Sequence, residues 1–335
     1  MKDDSRFKKI LEGSKEKGLF EGPLTKPDWY DDERFQNGRK YYKNHVAACM
    51  FSMVVSLLSG LTFKSLLDVL VYTGKSDEKN KAYWRYNHTG IHVRSWIYSD
   101  VWDPSSEGHK SVKQIRLIHK SVAQRIAKDL KKGDSDKWVS QSDLAFTLVG
   151  FVGSIVIVPE GFGVTESQDL NDYLFFWRVM GHLHGIKDEF NPFGGSVLSA
   201  KRTVYDMAQF CLLPSLLNPP EKFESMARAV SDNYGLLYPF IRYATDLALD
   251  NNGSYGESVD ESYREVIAKL YPLDSKEGKK QLAVMKWTYQ TAYKYTIFRL
   301  IFDFLANFHL ELIKLRVRLA TWWKNKTGRN SLLSL

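Results

Sequence analysis

The sequence predicts an all-α protein, a multi-helix bundle with a largely buried central helix. Three observations lead there. Apolar residues recur at helical spacing through most of the chain. Two polar quartets, Ser140–Asp143 and Thr165–Gln168, resemble the capping boxes that open helices. The stretch after the first of them, residues 144–158, carries no charge, as a helix enclosed on every side would.

The elements follow in order. Residues 1–40 are polar and charged, with Pro23 and Pro27, and read as a loose leader that docks through Trp29 and Tyr30. Residues 46–63 are uncharged and just long enough to raise a membrane span. Their serines, Thr62 and Gly60 favour a buried core helix. Apolar character continues over 64–73 to a helix end at Thr73-Gly74. A charged loop, Lys75–Lys81, precedes a helix over 83–97, where Trp84, Thr89 or His88, Ile91 or His92, and Ser95 or Trp96 recur at helical steps.

The helix over 110–132 carries the most telling stretch, "QIRLIHKSV". Val112, Ile115, His119, Val122 and Ile126 repeat at steps of 3, 4, 3 and 4, so His119 lies in an apolar stripe with Arg116 beside it. Residues 144–158 stop at Pro159; their β-branched end would also suit a buried strand. Gly150 and Gly153 would let a backbone or a flat ligand approach closely. Thr165-Glu-Ser-Gln168 should cap a helix over 166–184 that ends at Gly185. Residues 200–215, 222–250 and 258–271 read as helical, punctuated at Asn218-Pro-Pro and Asn251–Ser254, and 278–323 as one long helix with an Arg299–Asp303 pair. The tail, with Trp322, Trp323, Lys324, Lys326 and Arg329, could lie on a membrane or cap the bundle.

Composition narrows the class. Nineteen Phe, eighteen Tyr and nine Trp in 335 residues imply a bulky core or an aromatic-lined pocket. A net charge of +8 favours acidic surfaces only weakly, because bases alternate with acids, and no nucleic-acid patch stands out. Cys49 and Cys211 sit among apolar neighbours and read as buried free thiols of a reducing compartment. The N-terminus has no apolar core of a secretory signal, so the expectation is intracellular and the sequons at Asn87, Asn252 and Asn325 are chance. Walker, dinucleotide-binding, HEXXH and nucleophile-elbow motifs are absent. His182 and His184 would point about 200° apart on one helix and cannot chelate one metal from it.

What remains is a set of histidines and arginines on apolar helix faces. A buried His–Arg pair is costly unless something meets it. Haem would, since it needs an apolar helical slot, a neutral imidazole and cations for its propionates. Buried acids such as Asp143 would serve Arg116 and His119 equally well.

Four stretches together, "RYNHTGIHVRSW", "KSVKQIRLIHKSV", "SQSDLAFTLVGF" and "FWRVMGHLHGIKDEFN", resemble the catalytic domain shared by latex-clearing rubber oxygenases and the fungal mpaB oxygenase, most closely its animal members. The resemblance covers roughly 29–230. It implies a globin-like all-α fold holding haem b, an O2-dependent cleavage of carbon–carbon double bonds in an apolar, isoprenoid substrate, and an address at the endoplasmic reticulum membrane. Arg116 matches the family's arginine near the haem, and His119 falls where rubber oxygenase has a lysine ligand. Lys120 stands where that family has a threonine. The proximal histidine is expected near Leu148–Phe151, where this sequence has none; His119, or else His92, His182 or His184, would then serve the iron. Trp177, Arg178 and Gly181 match the family's "WR..G", with Arg178 as a partner for a propionate or for an acidic side chain, and Gly150 is a further cofactor-side candidate.

The expected organisation is a polar leader (1–28), an mpaB/rubber-oxygenase-like helical domain (29–250) and C-terminal helices with a basic tail (251–335). The expected function is a haem-dependent oxygenase using O2, with Arg116 and His119 at its centre. The alternative is a haem-free helical domain that binds lipid or a partner at a membrane surface.

Overall fold

The computed structural model describes residues 5–129, 138–231, 237–250 and 262–327. The turn read at Asn251–Ser254 and Arg329 lie outside them. Among the described residues regular structure is helical throughout: α1 (Ser5–Glu12), α2 (Asp32–Asn44), α3 (Val46–Gly60), α4 (Lys64–Thr73), α5 (Lys79–Tyr98), α6 (Glu107–Asp129), α7 (Gln141–Ile157), α8 (Gln168–Leu183), α9 (Val197–Met207), α10 (Leu213–Leu217), α11 (Phe223–Ser231), α12 (Leu237–Asp250), α13 (Ser262–Leu270), α14 (Lys276–Gln290) and α15 (Thr296–Thr327). The all-α expectation holds, and the β-branched end of 144–158 is helix.

Packing centres on two pairs. α8 lies on α2, where Gly38 brings the backbones so close that a Cβ there would strike the Asp172 carbonyl. The buried Asp172 carboxylate accepts from Arg34 (3.0 Å), Asn37 (3.2 Å) and Gln168 (3.0 Å), so its charge is met. α3 lies on α7, joined by Ser56 Oγ and Ser154 Oγ at 2.6 Å and by the Ile155 N–H donating to Ser52 Oγ at 3.2 Å. α3 is thus a core helix, also contacted by α12 and α15. It breaks from α4 by 95°, and no single helix among the described residues is long and apolar enough to cross a membrane. Gly74, in the left-handed conformation (φ 59°), ends α4 as read.

One boundary agrees with the sequence reading and two differ. The Ser140 box is real: Ser140 Oγ accepts from the Asp143 N–H at 3.1 Å and Asp143 accepts from the Ser140 N–H at 3.0 Å. The second cap sits two residues later than Thr165, at Ser167, whose Oγ accepts from the Leu170 N–H at 3.2 Å. The long helix read over 278–323 is two. It breaks at Thr291–Tyr295, where Asp303 accepts from Tyr293 Oη (2.8 Å) and from the α3 Ala47 N–H (2.8 Å). Asp303 therefore ties α15 to the start of α3 in place of the expected pair with Arg299.

The leader is not loose. α1 packs on α7 and α9, and Arg6 donates to the Asp188 (2.6 Å) and Asn191 (3.0 Å) carbonyls. Residues 16–25 run on as a strap across the middle of α6, the start of α7 and the end of α8. Its anchor is Gln141, whose Nε2 donates to the Lys17 and Gly185 carbonyls, each at 3.0 Å, while its Oε1 accepts from the Lys187 N–H at 3.0 Å.

Candidate active site

Helices α5, α6 and the C-terminus of α8 bring four histidine and arginine side chains together beneath the strap. Gly185 (φ 95°) turns the chain just past the carbonyls of the last turn of α8. His184, just before it, uses one of them: its Nδ1 lies 2.7 Å from the Met180 carbonyl. A carbonyl only accepts, so Nδ1 carries the proton and Nε2 keeps a lone pair. That Nε2 is buried and has no hydrogen-bond partner. The Trp96 ring packs at 4.5 Å and fixes the imidazole plane.

His119, one turn after Arg116 on α6, is half-buried as a side chain, yet its Nδ1 is enclosed and also unpartnered. The Phe20 ring of the strap meets it edge-on at 5.8 Å. Arg116 is buried; its Nη2 donates to the Leu19 carbonyl at 2.8 Å and to the Glu21 carbonyl, and its Nε is left without a partner. Lys120 adds an ion pair to Glu21 at 2.6 Å. On α5, His92 Nδ1 lies 2.7 Å from Ser111 Oγ, which accepts from Trp96 Nε1 at 2.8 Å, so the serine proton is available to His92.

Burial sets the charge of this cluster. His119 is pushed down to about 4 by desolvation, helped by the Arg85 cation. His184 is pushed down to about 3, mainly by desolvation, which outweighs its bond to Met180; His119, Arg116 and His92 add repulsion. His92 is lowered by burial and by His88. At neutral pH the site holds uncharged imidazoles beside one guanidinium.

A family model described as "ER-bound oxygenase mpaB/B'/Rubber oxygenase, catalytic domain" matches residues 44–228, more than half of the chain. The chain belongs to this family. The matched span includes α5, α6, α7 and α8, the helices that build the cluster, and leaves out the strap and α12–α15. No curated protein and no solved structure gives a significant match.

Within the family domain the structure sorts the residues singled out from sequence. Arg116, His119, His184 and His92 come together. Arg178 does not join them: its Nη2 and Nε grip Asp188 at 2.9–3.0 Å, and its guanidinium lies 3.9 Å from the Trp29 ring centre. His182 points the other way from His184, as the helical angle requires, and its Nε2 meets the Thr25 carbonyl at 3.2 Å. Gly150 lines a separate apolar cavity of ≈ 80 Å³ between α3, α7, α9 and α12, whose walls contain no histidine. Asp143 is held by its capping box, so the acid suggested for Arg116 is replaced by backbone carbonyls. Ser111, the strap residues Leu19, Phe20 and Glu21, and the anchoring role of Gln141 escaped the sequence reading. Nothing local marks them, because each acts through a contact distant in sequence.

The residues fit a haem. Two uncharged imidazoles each keep an unpartnered buried nitrogen, and the guanidinium beside them has an unpaired N–H. His184 has the arrangement of a metal-ligating histidine, its second nitrogen fixed on a backbone carbonyl. No group of three or more His, Cys, Asp or Glu side chains that could hold a metal ion occurs among the described residues. A porphyrin brings four nitrogens of its own and asks the protein for one or two ligands.

Proposed function

We propose that this chain is a haem-dependent oxygenase acting on an apolar small molecule with O2. The observation that carries the reading is the pair of buried, unpartnered imidazole nitrogens, His184 Nε2 and His119 Nδ1. Leaving buried polar atoms unpaired costs about 1–3 kcal/mol each, a cost that a ligand would remove. Bound haem supplies the one-electron and O2 chemistry that these side chains lack.

The chain's own residues hold and shield. His184 presents Nε2 in one fixed tautomer. His119 presents Nδ1 from α6, and its low pKa keeps the ring uncharged at neutral pH. Arg116, steadied by the Leu19 and Glu21 carbonyls, offers a cation to a propionate or to a polarised oxygen. Phe20 and the strap keep water from the His119 side. The aromatic packing around the cluster, with Trp96 on His184 and Trp177 against Trp96 and Phe151, suits an apolar substrate, and an isoprenoid chain suits the family.

The absorption spectrum tests this. The chain should take up haem and show a Soret band. His184→Ala and His119→Ala should each weaken or shift it, and His182→Ala should not. A chain that takes up no haem on reconstitution would overturn the reading.

A further inference from the structure

Helix α15 has two apolar faces. The inner one packs on the body through Leu310 and Ile313, both about 2% exposed. On the other side Ile301, Phe304, Phe308, Leu312, Leu315 and Leu319 are 43–67% exposed. At about 100° per residue, these six fall within an arc of about 80°. The row runs on into exposed Trp322 and Trp323. At its other end exposed Phe298 meets exposed Trp287 of α14 at 6.4 Å. From Phe298 to Trp323 it spans about 38 Å at 1.5 Å per residue. A continuous apolar row of this length marks a docking face.

The charges beside it identify what docks. Residues 296–327 hold six cations (Arg299, Lys314, Arg316, Arg318, Lys324, Lys326) and two acids. Of the acids, Asp303 is buried and Glu311 is tied to Arg94; from α6, Glu107 lies 3.5 Å from Lys314 and 3.7 Å from Arg318. Arg316 and Arg318 are exposed and flank the row on opposite sides, and the Lys326 ammonium lies 5.0 Å from the Trp322 ring centre. A second copy laid along the row would set cations against cations. One glutamate cannot balance them all, so an anionic bilayer supplies the further countercharge, and paired tryptophans suit its interface.

We propose that α15 lies in the surface plane of an anionic lipid membrane, its apolar row buried at the headgroup–acyl boundary and Arg316, Arg318 and Lys326 at headgroup level. The helix rests on the membrane without crossing it, and the site beneath the strap faces its substrate from a membrane-bound body. The inference does not depend on haem.

Sedimentation of the 335-residue chain with phosphatidylcholine vesicles, with and without phosphatidylserine, tests it, alongside gel filtration without lipid. The chain should pellet with the phosphatidylserine vesicles and less so at raised salt. Phe308→Glu with Leu315→Glu should lower the bound fraction by roughly tenfold or more. Both positions are exposed, so folding is preserved, and circular dichroism checks it. Arg316→Gln with Arg318→Gln should weaken binding and reduce its salt dependence. A chain that stays in the supernatant with both vesicle types would overturn the proposal. So would binding indifferent to phosphatidylserine, or a dimer that Phe308→Glu with Leu315→Glu splits while vesicles are ignored.

Discussion

His184 and His119 are uncharged because the fold removes them from water, and that has a consequence for acid stability. Their folded pKa values, about 3 and about 4, lie below the ordinary histidine value of about 6.5. Between these limits the unfolded chain binds more protons than the folded one. Stability is therefore full above about pH 6.5 and falls as pH drops through about 4 toward about 3, by several kcal/mol at most. Urea titrations of the haem-free chain between pH 7 and pH 4.5 should show this fall, and His184→Ala should flatten it. Ser111 is the second sensitive residue. Ser111→Ala would strand His92 Nδ1 and Trp96 Nε1 and should cost about 1–3 kcal/mol, read as a shift of the urea midpoint. At this scale much was legible beforehand. Periodicity alone placed His119 in an apolar stripe, and helical geometry separated His182 from His184. The partners were not legible. The sequence offers Arg116 either a haem propionate or a buried acid; it is met by the Leu19 and Glu21 carbonyls, nearly a hundred residues away, and spacing along one helix carries no trace of them.

The strap is the element that separates this structure from the expectation of a loose leader. It is held by Phe20 and Leu24 against the core, by hydrogen bonds from Gln141 and Arg116, and by the Leu19 N–H donating to the Gly185 carbonyl (2.9 Å). Gln141→Ala should cost about 1–3 kcal/mol and loosen the strap without unfolding the bundle. Hydrogen exchange should then quicken at residues 16–25 and at Lys187, while α3 and α7 stay protected. Helix starts with a side-chain cap were largely readable, since a capping box is a local device: Ser140 was placed correctly and Ser167 was missed by two residues. The break between α14 and α15 was not readable. Apolar spacing continues across Thr291–Tyr295, and the bend is fixed by Asp303 reaching back to Tyr293 and to the start of α3.

At the scale of the whole molecule, the family domain supplies the helices of the site, and the parts outside it cover and carry that site. The strap closes the histidine cluster from one side. α14 and α15 add an apolar, basic face that the family domain lacks. The all-α class and the family were legible because the four motifs lie on α5 to α8, where local pattern and fold agree. The outward row of α15 was only partly so: its charges were noted, but one helix cannot reveal which of two apolar faces its own body covers. The central claim is that the unpartnered nitrogens of His119 and His184 exist to meet a haem. Titrating the purified chain and its His184→Ala variant with hemin, followed at the Soret band, tests it most directly. The account predicts saturation at one haem per chain, with clearly weaker or shifted uptake by the variant. A chain that stays colourless, or a variant that titrates like the parent chain, would contradict it.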